Sequence, residues 1–215
     1  MKLVLLGPPG AGKGTQAMNL AKEYQFPAIS TGHIIRTAIS EQTPVGKIAK
    51  EFIARGELVP DDTVVELVKA RLSMEDCKNG YILDGFPRTL EQAKIMDETA
   101  IDVDVVLNIE VADDKLVERL SGRRECKKCG AAYHILYNPT KDGVTCDECG
   151  GELRMRSDDV PEVILKRLSV YHKQTEPLKE YYLKQNKLTT VQGQKELAET
   201  TRKVLEAVRE AEAKL

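Results

Sequence analysis

Several features that would assign this chain of 215 residues to a broad class are scarce or missing. No apolar run reaches the roughly 18 residues of a membrane-spanning helix. The apolar residues 1–6 pass directly into Gly and Pro, so we expect neither a membrane segment nor a signal peptide. Positive charge is not in excess, because 32 basic and 34 acidic residues give a net charge of −2. This balance excludes a global basic field for nucleic acid, and any anion site must be local.

Cysteines are few, and their spacing is uneven. Cys126 and Cys129 form one Cys-x-x-Cys pair, Cys146 and Cys149 form a second, and Cys77 stands alone. An odd count with paired spacings suits a reducing compartment and a metal better than a disulfide framework, so we expect a cytoplasmic protein. Neither repeats nor low-complexity stretches occur, and the 41% hydrophobic fraction is enough for a sizeable core, which excludes disordered and fibrous classes.

Strand-like and helix-like segments alternate along the chain, which predicts an α/β fold with a parallel sheet. The predicted strands are residues 2–6, 28–30, 81–83, 103–109 and 187–191. The predicted helices are residues 14–24, two helices within 33–54 divided at Pro44, 61–72 with Asp61 or Asp62 as N-cap, 113–120 and 195–215. Residues 122–158, with five glycines, Pro139 and four cysteines, break the pattern, and Pro161 follows them. We interpret this region as an inserted subdomain.

Residues 7–15 (GPPGAGKGT) follow a predicted strand and open a predicted helix, which is the context of a phosphate-binding loop. Backbone N–H groups of such a loop turn towards phosphate, and the helix N-terminus adds its positive dipole end. Lys13 would add a mobile positive charge. The general pattern has Ser or Thr directly after the lysine, whereas Gly14 precedes Thr15 here. The alternative interpretation is a glycine-rich turn that only begins a helix.

A second motif begins at an apolar strand, residues 81–84 (YILD), which ends in a carboxylate. In phosphate-loop proteins an aspartate at this place orients Mg²⁺ or its waters. Taken alone, Asp84 would more simply be a strand-end residue that starts a turn. It is followed by residues 85–88 (GFPR), and Gln92 lies four residues after Arg88. A helix through both would place Gln92 and Arg88 on one face.

The two motifs, GxPGxGKGT and the DGFPR of residues 84–88, closely resemble those of adenylate kinases among the nucleoside monophosphate kinases. Residues 30–36 (STGHIIR) and 56–60 (GELVP) fit the same family, and the resemblance extends from residue 7 to about 195. It implies an α/β, P-loop NTPase-type parallel five-stranded sheet flanked by helices. The core would comprise residues 1–29, 60–121 and 160–215, with an AMP-binding helical insertion at 30–59 and a zinc-binding lid at 122–159.

The resemblance also implies roles for individual residues. The implied catalytic set is Lys13, Asp84, Arg88, Arg123, Arg156, Asp158, Asp159 and Arg167. ATP would contact Gly10, Ala11, Gly12, Lys13, Gly14, Thr15, Arg119, Arg123, Ala132, Tyr133 and Lys195. AMP would contact Thr31, Arg36, Glu57, Leu58, Val59, Gly85, Phe86, Pro87, Arg88, Gln92, Arg156 and Arg167. His33 stands where the family usually has Asp, and we assign it no catalytic role.

The inserted region carries the spacing of a four-thiolate Zn²⁺ site. Cys126, Cys129, Cys146 and Cys149 form two Cys-x-x-Cys pairs separated by 16 residues, which predicts a closed, structural metal site. Two disulfides or four free thiols are the alternatives. Joining the two pairs would bring the ends of the insertion together, so that Arg123 and Arg156 could converge on one anion.

The implied function is adenylate kinase activity, the Mg²⁺-dependent transfer ATP + AMP ⇌ 2 ADP, by a monomer with ATP, AMP and ADP as its ligands. The acceptor is already a phosphate oxygen, so no general base is required, and the lid would exclude water. A nucleic-acid-binding zinc ribbon is one rival, although acidic residues interrupt the basic ones on the ribbon. A GTPase is another, but residues 186–189 (NKLT) lack the final Asp of a guanine-reading segment. A UMP/CMP kinase or a GTP:AMP kinase stays open.

Overall fold

The computed structural model describes residues 1–215 and contains two separate sheets. In chain order the strands are β1 (Lys2–Leu6), β2 (Ala28–Ser30), β3 (Tyr81–Asp84), β4 (Val105–Glu110), β5 (Arg123–Cys126), β6 (Ala132–His134), β7 (Leu153–Arg154) and β8 (Leu188–Gln192). Five of them form a parallel sheet in the order β2-β3-β1-β4-β8. The predicted α/β fold with a five-stranded parallel sheet is therefore confirmed, with strand boundaries that agree within two residues.

Nine α-helices surround the main sheet and connect its strands. They are α1 (Lys13–Tyr24), α2 (Thr31–Ser40), α3 (Pro44–Ala54), α4 (Asp61–Leu72), α5 (Leu90–Glu98), α6 (Asp113–Ser121), α7 (Pro161–Val170), α8 (Leu178–Lys184) and α9 (Leu197–Glu212). A 3-10 turn (Glu75–Cys77) precedes β3, and a π-helical turn (Tyr171–Thr175) joins α7 to α8. No helix combines the length and the apolar character needed to cross a membrane.

One local prediction about a helix is wrong, and three helices were not predicted. Neither Asp61 nor Asp62 is the N-cap of α4, because the helix begins at Asp61 after Pro60. The Asp61 carboxylate instead accepts hydrogen bonds from Thr89 and Gln92, at 3.1 and 2.7 Å. Helices α5, α7 and α8 lie outside the predicted elements. Pro161, which follows the irregular region, begins α7, where proline has no helical N–H to lose.

The main sheet is buried on both faces, and each face belongs to a different core. Leu3 and Leu5 of β1 pack in one cluster with side chains of α1, α6, α7 and α9. The alternating residues Val4 and Leu6 pack in the other cluster with side chains of α2, α3, α4, α5 and α8. Successive side chains of a strand point to opposite faces, so one apolar run in β1 supplies both cores. The carboxyl edge of the sheet is thereby held rigidly.

The second sheet is antiparallel, in the order β6-β5-β7, and lies within the region predicted as a lid. It approaches α2 at two places. Arg36 Nη2 lies 3.2 Å from Glu125 Oε1, and a Cβ atom placed on Gly130 would lie 2.7 Å from His33 Nδ1. The small sheet therefore rests against α2.

Candidate active site

The candidate site lies at the carboxyl edge of the parallel sheet. The phosphate-loop residues follow β1, Asp84 ends β3 and Thr31 follows β2. The register pairs Asp84 with Leu5 on one side and with Ser30 on the other. Ligands of open parallel sheets bind outside this edge, so the fold collects these predicted residues in one place.

The loop between β1 and α1 has the geometry of an anion cradle. Gly10 and Gly12 have φ values of 87° and 96°, and Gly12 is the N-cap of α1 without a side-chain capping bond. The first N–H groups of α1 are therefore free of side-chain partners and face the helix end that attracts negative charge. A Cβ atom at Gly7 would come within 2.4 Å of the Ile109 carbonyl oxygen, so only glycine fits where the loop leaves β1.

Lys13, the first residue of α1, folds back over this loop. Its Nζ donates hydrogen bonds to the carbonyl oxygens of Gly7 and Pro8, at 2.6 and 2.9 Å. Burial lowers the pKa of Lys13 to about 7, with the guanidinium groups of Arg88, Arg167 and Arg123 adding to the effect and Asp84 opposing it. A bound phosphate would favour the charged lysine, so the loop and the lysine together fit a phosphate anion.

Gly14 lies beside the Asp84 carboxylate. A Cβ atom at residue 14 would lie 3.4 Å from Asp84 Oδ2. The missing hydroxyl residue of the general motif is thus matched by a carboxylate that reaches the same place from β3. Carboxylate oxygen is the donor that Mg²⁺ prefers, usually with waters in its other positions, so the residues present fit a hydrated Mg²⁺.

Arg88 lies at the turn between β3 and α5 and is held through Gly85. Its Nε donates to the Gly85 carbonyl oxygen at 2.9 Å, and Thr31 Oγ1 donates to the same oxygen at 2.7 Å. The carbonyl of Arg88 accepts a hydrogen bond from Thr175 Oγ1 at 2.8 Å. Burial lowers the pKa of the Arg88 guanidinium from its ordinary value.

Gln92 contacts this turn in a way that the sequence does not reveal. Arg88 precedes α5, whose N-cap is Thr89, so the two residues do not share a helical face as predicted. Instead, Gln92 Oε1 accepts the backbone N–H of Arg88 at 2.7 Å, and its Nε2 donates to Asp61. Gln92 is buried, so it braces the turn that carries Arg88.

Arg123 and Arg167 converge on one buried carboxylate. Asp159 accepts Arg123 Nε at 2.7 Å and Arg167 Nη1 at 2.8 Å. Asp158 adds a second contact to Arg167 Nη1, at 3.0 Å. Burial raises the pKa of Asp158, but Arg167, Arg123 and further guanidinium groups outweigh it and lower the pKa below its ordinary value. The two aspartates therefore hold Arg123 and Arg167 through ion pairs.

Arg156 completes the cluster from the segment after β7. Burial, reinforced by the guanidinium groups of Arg123 and Arg36, lowers its pKa to about 10. Its Nη2 lies 2.7 Å from Glu125 Oε1. Glu125 is a residue that motif reasoning missed, although strand alternation places it on the same face of β5 as Arg123.

The residues predicted for the nucleosides are more dispersed. Arg119 Nη2 donates to the Gln194 carbonyl oxygen at 2.7 Å, next to the exposed Lys195. Tyr133 Oη lies 3.3 Å from Cys146 Sγ, so its hydroxyl faces the cysteines, whereas Ala132 is its neighbour in β6.

The loop predicted to line AMP borders a cavity between α3 and α7. Glu57 and Leu58 line this cavity of about 360 Å³ together with Phe52 and Lys166. The other residues predicted for AMP near this loop and the Arg88 turn are buried: Val59, Gly85, Phe86 and Pro87.

The four clustered cysteines meet at one point, as the spacing predicts. Their Sγ atoms all lie within 4.8 Å of one another, with Cys126–Cys149 at 3.5 Å and Cys129–Cys146 at 3.6 Å. These separations are too long for disulfides. A tetrahedral ion with Zn–S bonds of about 2.3 Å separates its sulfurs by about 3.8 Å, so the four thiols fit a divalent metal. The predicted cysteine cluster is confirmed.

Comparison with known proteins agrees with this geometry. The family model described as adenylate kinase matches residues 5–187. The chain belongs to the adenylate kinase family. The adenylate kinase of Caldicellulosiruptor bescii is 54% identical over 212 residues, which cover 97% of this chain and 99% of that protein. The adenylate kinase of Acetivibrio thermocellus is 53% identical, covering 97% and 98%, and that of Methanocella arvoryzae is 50% identical, covering 97% and 99%.

Adenylate kinase membership confirms the family resemblance and makes the chain a nucleoside monophosphate kinase, a phosphotransferase that binds nucleotides. ATP, AMP and ADP are the substrates of this family. The phosphate loop, the arginine cluster and the four cysteines are thus three parts of one adenylate kinase framework.

Proposed function

We propose that this site transfers the γ-phosphoryl group of ATP to the phosphate of AMP and so forms two ADP. The observation that carries the proposal is a set of desolvated cations. Burial lowers the pKa values of Lys13, Arg88, Arg156 and Arg167, and further guanidinium groups depress each of them. Such a cluster is stabilised by a ligand with several negative charges, and two nucleotides joined through their phosphates supply them.

The phosphate loop would hold the donor. Residues 10–15 would bind its phosphates through backbone N–H groups, and Lys13 would move from the loop carbonyls to the transferring phosphoryl. Arg119, Ala132, Tyr133 and Lys195 would lie around the nucleoside of ATP. Tyr133 would do so by its backbone and ring, since its hydroxyl faces Cys146.

Arginines would hold the acceptor and the transferred group. Arg36, Arg88 and Arg156 would bind the AMP phosphate, and Arg123 and Arg167 would neutralise charge on the transferred phosphoryl. Asp158 and Asp159 would position Arg123 and Arg167. Reactants held in line with their charge neutralised need no general base, because the acceptor oxygen already carries negative charge.

Thr31 and residues 57–59 would contact the AMP nucleoside with Gly85, Phe86, Pro87 and Gln92. Residues 30–59 would form the AMP-binding insertion, and residues 122–159 would form a lid that excludes water.

Two metal ions belong to the proposal. Asp84 would hold Mg²⁺ through water, and this ion would neutralise the donor's phosphates when bound. Cys126, Cys129, Cys146 and Cys149 would hold Zn²⁺, which would fasten the two ends of the lid. With no open position, that site would be structural. We further propose that the protein acts as a cytoplasmic monomer that does not bind nucleic acid.

A coupled assay of ADP formation across nucleotide pairs tests the function. We expect ATP with AMP to give the highest kcat/KM, ahead of ATP with UMP, CMP or GMP and of GTP with AMP. A preference for UMP or CMP would assign the chain to a different acceptor. The absence of turnover with every pair, together with retention of RNA or DNA on a filter, would favour the nucleic-acid-binding alternative.

A further inference from the structure

A buried carboxylate lies between two arginines that reach it from different parts of the chain. Glu125 in β5 is 2% exposed. Its Oε1 lies 2.7 Å from Arg156 Nη2 and 3.2 Å from Arg36 Nη2, and its Oε2 lies 3.9 Å from Arg154 Nη2. Arg36 belongs to α2, whereas Glu125 and Arg156 belong to the region of the small sheet. The ion pair with Arg36 therefore bridges two insertions of the core.

The ion pairs between Glu125 and the arginines leave several buried polar atoms without a hydrogen-bond partner. Both carboxylate oxygens of Glu125 are buried without an aligned hydrogen bond, and so are Arg36 Nε and Arg156 Nε. Buried polar groups that lack partners are costly. The contacts to Glu125 thus supply charge neutralisation, while the Nε edges of both arginines stay free for an anion with more acceptor oxygens. A phosphate monoester has three such oxygens.

We propose that Glu125 is the resident counter-ion of the acceptor-phosphate subsite. Without nucleotide it holds Arg36 and Arg156 together and fastens the small sheet to α2. When a nucleoside monophosphate binds, its phosphate takes over the two arginines, and Glu125 becomes a like charge beside it. This inference rests on the proposed function, which assigns Arg36 and Arg156 to the AMP phosphate.

The proposal predicts opposite effects of Glu125 on the empty and the occupied site. In the empty site the carboxylate offsets the repulsion between two desolvated cations and favours contact between the insertions. In the occupied site it opposes the phosphate by competition and by repulsion. The donor phosphates lie at the loop around Lys13, and Glu125 contacts none of the residues of that loop.

Steady-state kinetics of the full-length enzyme loaded with zinc test whether Glu125 opposes the bound phosphate. Glu125→Gln keeps the shape of the side chain and removes its charge. We expect the KM for AMP to fall about three- to tenfold, as for the loss of one partly screened like charge, while the KM for ATP stays unchanged. Glu152→Gln is the matched control, because Glu152 pairs with Lys127 at 2.7 Å on the exposed surface of the same small sheet.

Two outcomes would overturn the counter-ion role. An unchanged KM for AMP, as in the control, would show that Glu125 does not oppose the phosphate. An increased KM would show that it orients the arginines instead. Should glutamine impair folding, Glu125→Val, which suits a strand, gives the same comparison. If the wild-type enzyme fails to use AMP, the proposed function fails. If the wild-type enzyme is active and Glu125→Gln has the same KM for AMP, only this inference fails.

Fluorescence energy transfer in the nucleotide-free enzyme tests whether Glu125 favours contact between the two insertions. Dyes at the exposed Lys47 and Lys141, attached without cysteine chemistry, report the distance between α3 and the lid region. We expect Glu125→Gln and Arg36→Gln each to lengthen this distance, and the double variant to lengthen it no further than either alone. Additive effects, or no change with Glu125→Gln, would contradict the bridging contact.

Discussion

The phosphate loop and the arginine cluster are the two halves of the candidate site, and their positively charged side chains are held by different means. The phosphate loop consists of consecutive residues, and its lysine is held by the carbonyl oxygens of Gly7 and Pro8. The arginine cluster combines side chains from α2, the turn before α5, β5, the segment after β7, and α7, and buried carboxylates hold most of them. The loop is thus a product of local backbone geometry, whereas the cluster depends mainly on ion pairs between residues distant in the sequence.

This difference determines how each half responds to mutation. A loop built from main-chain groups keeps its shape when a side chain is removed, so the loss is confined to the chemistry that the side chain performs. Removing one partner of a buried ion pair leaves an uncompensated charge and disturbs the other partners. Mutations in the loop should therefore separate activity from stability, whereas mutations of Asp158 and Asp159, which hold Arg123 and Arg167, should not.

Lys13→Met gives the largest expected effect and tests the first half of the comparison. The ammonium that we propose stabilises the transferring phosphoryl is lost, and we expect kcat to fall by about 10³-fold, equivalent to about 4 kcal/mol. Thermal unfolding should hardly change, since the lysine is desolvated in the empty loop. Lys22→Met, an exposed lysine of the same helix, is the control. Near-normal turnover of Lys13→Met would contradict the assigned role.

Cys146→Ser tests whether the long-range half depends on the metal. One thiolate of the four is lost, and a structural metal ion stabilises the folded segment whose side chains bind it. We expect zinc content below one ion per chain and a lower melting temperature, with the main core intact. Cys77→Ser, outside the cluster, serves as the control. An unchanged melting temperature with unchanged zinc would argue against a structural ion.

The sequence predicts the parts of the site that are built from local motifs better than the contacts between distant residues. The phosphate loop keeps its partners within one motif, and the two Cys-x-x-Cys pairs have a spacing typical of a shared metal site, so the structure brings both sets together as expected. Glu125 was missed because its partner Arg36 lies far away in the chain. The contact between Tyr133 and Cys146 was missed for the same reason. Spacing reveals neighbours along the backbone, whereas tertiary packing decides which distant charges meet.

Asp159→Asn tests the claim that mutations of the aspartates that hold Arg123 and Arg167 cannot separate activity from stability. The substitution keeps the shape of the side chain but removes the charge shared by Arg123 and Arg167. We expect kcat/KM to fall about 30-fold, equivalent to about 2 kcal/mol, and the free energy of unfolding to fall together with it. Asp158→Asn is the milder companion, since Asp158 contacts Arg167 alone. A loss of activity without any loss of stability would break the comparison.

The smallest expected effect is on the pH dependence of ATP binding, because the phosphate loop and the arginine cluster differ in the groups that gain or lose protons. Arginines stay charged near neutral pH, whereas burial lowers the pKa of Lys13 to about 7 in the empty site. Phosphate raises that pKa again, so binding of ATP at pH 8 must be accompanied by the uptake of a proton from solvent by the lysine. Binding should weaken about fivefold from pH 7 to pH 8, or about 1 kcal/mol. Calorimetry in buffers of different ionisation enthalpy should show proton uptake that is absent in Lys13→Arg, which keeps its charge. Equal uptake in both proteins would place the titrating group elsewhere, and the loop would then be as fully charged as the arginine cluster.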